Sequence, residues 1–249
     1  PVFNMAINAD KKRERGMHRW FVVEFAEDTP VESVAQRYAA MKEVERVEYA
    51  MEFVRPEVNV VPVESLPATR SESEPFNDPM LKDQWHYINT GSSEIANSTY
   101  AGGDIAVKDA WTLTAGDRRV VVAVLDGPVM YNHPDLEPNM WKNDAEVPGD
   151  GIDNDRNGYT DDVYGWNCFE RNGNINWNHR GESGHGTHVA GIVAAANGNG
   201  IGVCGTAGGT GNGDGVRMMS CQIFKGGTST LDASAIGFVY AADNGAVIL

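Results

Sequence analysis

The chain has 249 residues, 41% of them hydrophobic, and a formal net charge of −15. That length holds one large α/β domain, or a small domain and most of a second. The charge argues against nucleic acid as a partner, because phosphate binding needs a basic face, and no apolar run reaches the roughly 18–20 residues that span a membrane.

Residues 1–62 read as a unit of their own. Residues 8–16 are charged and poor in apolar side chains, which predicts a loop. Residues 18–25, with the run Trp20-Phe21-Val22-Val23, predict a strand. Pro30 suits a helix start, and Val31, Val34, Ala35, Tyr38, Ala39 and Met41 follow at helical spacing. Residues 44–54 predict another strand, so the order strand, helix, strand suggests a small α+β module. Residues 63–79 are polar and rich in Pro and Ser, and read as a linker.

From Met80 onward strands and helices alternate, which predicts a doubly wound parallel α/β sheet. Helices are expected over 104–111, 184–196 and 231–243, the last with Ala233, Ile236, Gly237, Tyr240 and Ala241 on one face. Buried strands are expected over 120–125 and 216–224. A further strand begins at 246–249, so the chain reads as a fragment, a cleavage product or part of something longer. It starts at Pro1 with no charged-then-apolar leader, and any signal peptide is expected to have been removed or left out. Cys168, Cys204 and Cys221 leave room for one disulfide but read first as buried free thiols.

Two runs carry chemistry. Val121-Val122-Ala123-Val124-Leu125-Asp126 is a buried strand ending in a carboxylate. His185-Gly186-Thr187-His188-Val189-Ala190-Gly191 puts a Gly-flanked histidine at the start of a small-residue helix. Gly184 and Gly186 permit a tight turn beside a cleft. Ala190, Gly191, Ala194 and Ala195 let the helix approach the sheet, and Thr187 can cap or bond locally. His188 reads as a packed, hydrogen-bonded neighbour. A carboxylate at a strand end and an imidazole at a helix start are two of the three parts of a serine-hydrolase triad.

The acidic stretch is the second signal. Residues 135–170 hold ten Asp or Glu against two Lys or Arg. Within it, Asp153, Asp155, Asn157 and Asp161 fall at positions 1, 3, 5 and 9 of a calcium loop, with Gly158 at 6 and Tyr159 at 7. Tyr164 stands where an EF-hand has its bidentate Glu, so Asp162 or an outside residue must complete the shell. Oxygen ligands without His or Cys argue against zinc.

At Asp126, at the His185 run and at Asn132-His133-Pro134-Asp135-Leu136 the chain resembles the subtilisin-like serine proteases (subtilases). The resemblance is specific over residues 80–249 and loose over 18–62. It implies a calcium-stabilised serine endopeptidase in which Asp126 orients His185 and His185 takes the proton of a serine. No Gly-Thr-Ser-Met-Ala motif precedes Leu249, so these residues alone are expected to be inactive. The resemblance also implies a second Ca2+ site at Gln84, Asp135 and Asn199 with the carbonyls of Ile201 and Val203. It implies that Gly226, Gly227 and Thr228 pair with an extended peptide substrate. Residues 1–62 become a propeptide that inhibits its own protease, the linker carries the maturation site, and the location is secreted or cell-envelope. One departure is Asp126-Gly127-Pro128, where the family has Ser or Thr after the Asp. It leaves open a catalytically dead binding module. A metal-dependent hydrolase using His133, His185, His188 and Asp126 is a third reading, without a proper zinc motif.

Overall fold

A computed structural model of the chain describes residues 1–54, 74–91, 100–179, 181–182 and 184–249. Most of the expected linker, residues 63–73, lies outside the described residues, and so does any maturation site there.

In chain order, α1 spans Ala9–Glu14, α2 Val31–Ala39, β1 Glu52–Val54 and α3 Val107–Trp111. Then come β2 Val121–Asp126, β3 Gly165–Asn167, α4 His185–Ala194, β4 Arg217–Gln222, β5 Phe224–Lys225, β6 Thr228–Thr230 and α5 Leu231–Asp243.

The central sheet is parallel. β2 pairs with β4 from Val121↔Arg217 to Asp126↔Gln222, and β3 lies on the far side of β4. Residues 247–248 run along the free edge of β2, where Ala123 N donates to Ile248 O at 2.9 Å and Val247 N to Val121 O at 3.0 Å. Because side chains alternate across a strand, Val121, Ala123, Met219 and Cys221 face α5 through Ala233, Ile236, Tyr240 and Ala241. Val124 and Met218 face α4 through Ala190 and Ala194. Helices thus cover both faces, and a strand buried on both sides needs the unbroken apolar run seen in β2. This is the α/β, doubly wound arrangement the sequence predicts. β3 approaches β4 so closely that a Cβ on Gly165 would lie 1.8 Å from the Ser220 carbonyl oxygen, which only glycine avoids.

The first fifty residues depart from expectation. Residues 20–25 form no strand: Trp20, Phe21, Val22, Val23 and Phe25 are exposed and lie in no ladder. An apolar run alone does not make a strand, because the ladder must have a partner. The strand expected over 44–54 shrinks to β1, the three residues that find one. The folded unit also begins before Met80, since Phe76 packs edge-on against Trp111 and Asp78 is buried. All three cysteines are free and buried; burial pushes each thiol well above its ordinary pKa and keeps it inert.

Candidate active site and cation-binding loops

β2 delivers Asp126 to the carboxyl end of the parallel sheet, where open α/β folds place ligand-binding groups. α4 begins with His185. Its Nδ1 lies 2.7 Å from Asp126 Oδ1 and 2.9 Å from Oδ2. An ionised carboxylate only accepts, so this pairing assigns the proton to Nδ1. The Asp126 side chain is 13% exposed and that of His185 35%, so the carboxylate is shielded while the imidazole borders solvent. The Gly127 N–H donates to Asp126 Oδ1 at 2.6 Å. A backbone donor therefore meets the carboxylate despite the missing Ser or Thr hydroxyl.

Two contacts lock the start of α4 to the 126–130 turn. A Cβ on Gly186 would sit 2.2 Å from the Gly127 carbonyl oxygen. Thr187 Oγ1 accepts from Met130 N at 2.9 Å, a long-range tie rather than the local cap expected of it. At Gly191, by contrast, an added Cβ would meet nothing within 4 Å, so the tight approach lies at Gly186 and not at Gly191. Gly186→Ala is expected to cost about 1–3 kcal/mol through overpacking against backbone, and a melt showing an unchanged Tm would contradict this. His188, expected to be packed, is exposed, because it sits on the outer side of α4, away from the sheet.

Gly226 and Gly227 form the two-residue turn of the β5–β6 hairpin, with φ of 56° and 87°. Positive φ at both central residues is the type I′ requirement that glycine meets best. Gly226 N donates to Glu182 Oε1 at 3.0 Å. The outer edge of β6 is covered by β1, antiparallel, with Val54 opposite Thr228 and Glu52 opposite Thr230. Leu231 N extends the pairing to Met51 O at 3.1 Å. The edge expected to receive a substrate strand is thus filled by the chain's own residues 51–54.

In the acidic loop the structure brings Asp153 and Asp155 together with Glu146; their carboxylate oxygens lie within 4.8 Å of one another. Glu146 also accepts from the backbone N–H of Asn154, Asp155 and Asp161. The other expected ligands point elsewhere. Asp161 spends both oxygens on Gly149 N and Gly151 N. Asp162 is fully buried and accepts from Tyr240, Asn143 and Asn157. Burial pushes its pKa up to about 6 against the pull of those three donors. Asn157 Oδ1 accepts from Tyr159 N, and the Tyr159 ring is core, edge-on to Trp166 and Tyr240.

The second expected site is drawn around Asp135, which is 2% exposed. Its Oδ1 accepts from Asn199 Nδ2 at 2.8 Å and its Oδ2 from Val203 N at 2.9 Å. Ile201 N donates to Asn199 Oδ1, and Gln84 is paired twice with the Cys204 backbone. Sequence reasoning missed Asp78. It is equally buried, its Oδ2 accepts from Gly198 N, and its Oδ1 has no hydrogen-bond partner among the described residues. Burial first, then donors, then the charge of Asp78 act on Asp135, and the net push is upward. Two buried carboxylates that feel each other, one with an orphaned oxygen, form a donor set that fits a hard cation. Among the described residues, Glu146, Asp153 and Asp155 are the one group of three His, Cys, Asp or Glu that can share an ion. His133 instead accepts from Asp135 N through Nδ1, so a cluster of His133, His185, His188 and Asp126 is not assembled.

A strand-end Asp thus holds a helix-start His on a doubly wound sheet. The sequence profile of the subtilase family (Peptidase_S8) matches residues 117–249. The chain belongs to that family. It is 32% identical over 166 residues to subtilisin-like protease 1 of Plasmodium berghei, covering 65% of this chain and 26% of that protein. It is 36% identical over 162 residues to the PC3-like endoprotease variant B of Hydra vulgaris, covering 65% and 19%. Among solved structures, a protease of Pseudoalteromonas arctica is 28% identical, with a TM-score of 0.41 over 68% of this chain and 44% of that one. The chain thus spans about a quarter or less of the curated relatives' length.

Proposed function

We propose that the protein is a calcium-stabilised serine endopeptidase in which Asp126 and His185 are two members of an Asp-His-Ser triad. The observation that carries this is the paired contact of His185 Nδ1 with both oxygens of Asp126. With Nδ1 committed, the proton of the nucleophile passes to Nε2 and from there to the leaving amine. Asp126 holds the ring in that tautomer and stabilises the imidazolium. In this reading the serine lies beyond Leu249, and residues 1–249 alone hydrolyse nothing at a useful rate. The Gly127 N–H on Asp126 weighs against a dead binding module, since the departure in sequence leaves the carboxylate hydrogen-bonded.

Residues 80–249, with the stretch back to Phe76, form the first part of the catalytic domain in this proposal. Residues 1–62 are its propeptide and 63–75 the linker that is cut. The pairing of β1 with β6 supports this: an inhibitor that adds a strand at the substrate edge excludes substrate. Asp78 and Asp135, with Asn199 and the carbonyls of Ile201 and Val203, would hold one Ca2+. Glu146, Asp153 and Asp155 would hold another, with Asn157, the Tyr159 carbonyl, Asp161 and Asp162 as the outer frame of that loop. The role of Ca2+ is structural, neutralising clustered carboxylates and fixing two loops. Two such sites suit a calcium-rich secreted or cell-envelope setting. Among the described residues no helix is long and apolar enough to cross a membrane.

The test uses the full-length protein with a specific protease site placed in 55–73. Cutting there and removing residues 1–54 is expected to unmask hydrolysis of an unfolded polypeptide and to speed amide exchange at 228–230. Unchanged exchange at those amides would contradict the inhibitor role, and no peptide hydrolysis from any form would contradict the protease.

A further inference from the structure

The N-terminal residues touch the catalytic unit a second time, away from the substrate edge. The Val2 side chain packs against the core cluster built on β2, β4 and α5. Asn4 Nδ2 donates to Asn157 O at 3.0 Å. Its amide fills the space over Gly158, where a Cβ would lie 2.3 Å from Nδ2. In the run Lys11-Lys12-Arg13 only Lys12 turns inward, and it is 5% exposed. Its ammonium pairs with the equally buried Asp243 carboxylate at the end of α5 and donates to Asn4 O at 2.7 Å. Asn8 Nδ2 donates to the other Asp243 oxygen at 3.1 Å.

Lysine is almost never buried unless paired, and a three-residue strand is a weak tether by itself. We propose that residues 1–12 are a clasp on the end of α5 and the 157–158 turn, an anchor that keeps residues 1–54 bound after the chain is cut between 55 and 73. The clasp and β1 act as two linked sites. Release of either leaves the other holding it at high effective concentration, so the segment departs only when both let go.

The activity arm of the test rests on the inhibitor reading; the retention arm does not. The full-length protein carrying the cleavable site in 55–73 is cut, and co-elution of residues 1–54 is followed by gel filtration. Wild type is expected to retain the segment. Lys12→Met strands the Asp243 charge in a buried place and is expected to speed release about 100-fold or more. Asp243→Asn gives the same acceleration from the other side of the pair. Arg13→Ala, on the exposed side of α1, leaves retention unchanged and shows that α1 is otherwise intact. Retention of Lys12→Met and Asp243→Asn at the wild-type rate would overturn the clasp, as would equal release from Arg13→Ala. Fast release from Lys12→Met without any rise in hydrolysis would uphold the clasp and sink the inhibitor reading instead.

Discussion

His185→Ala in the full-length protein is expected to abolish peptide hydrolysis while leaving the fold in place. The imidazole lies at the start of α4 with its side chain 35% exposed, so its loss opens no cavity in either core cluster. What is lost is the group that, in the proposed mechanism, accepts the nucleophile's proton. Subtilisin, whose triad is a standard case, loses about 10⁶-fold in kcat without its histidine and about 10⁴-fold without its aspartate. The same order is expected here, with Asp126→Asn the milder change because His185 remains but adopts the wrong tautomer more often. Combining the two substitutions should cost little more than His185→Ala alone, since Asp126 acts only through His185. Steady-state kinetics on the four proteins decides it. Costs that multiply would mean that the 2.7 Å contact does not link them in catalysis.

The second large effect is a reversal of sign with calcium. Asp78 and Asp135 are both 2% exposed, and the charge of Asp78 opposes ionisation of Asp135. Without calcium their repulsion is a cost, so Asp78→Asn is expected to raise Tm in EDTA. With calcium the same substitution would remove a proposed ligand and is expected to lower it. At a hundredfold excess over Kd one site contributes about 2.7 kcal/mol, or about 5–10 °C for a domain of this size. Glu146→Gln should remove calcium-dependent stabilisation of the other loop without touching Asp78. Melts in EDTA and in calcium read both, and a Tm for Asp78→Asn that moves the same way in both would contradict the Asp78–Asp135 site.

The sequence disclosed most where burial was complete. The stripe Ala233, Ile236, Gly237, Tyr240 and Ala241 is the buried face of α5, and the apolar run before Asp126 is the strand β2. Both follow from periodicity, because a buried face leaves few choices. The histidine and carboxylate were legible for another reason: each sits at the junction of a strand or helix with a glycine turn. Residues 20–25 misled because strand propensity says nothing about a partner. Asp78 and Glu146 were missed because their roles depend on distant loops. Asp78 meets the 197–203 turn across 120 residues, and Glu146 folds back over the acidic loop. Position counting in that loop could not foresee that the oxygens of Asp161 and Asp162 accept from Gly149, Gly151, Asn143 and Tyr240. Gly226-Gly227 announced a turn, but that its outer strand is covered by Glu52–Val54 needed the structure.

The most direct test of the central claim is to treat the full-length protein, freed of residues 1–54, with a fluorophosphonate probe and locate the label by mass spectrometry. Labelling of a single serine, lost in His185→Ala, is the predicted result. No label on the wild-type protein, or a label that persists without His185, would contradict an Asp126–His185 pair serving a nucleophilic serine.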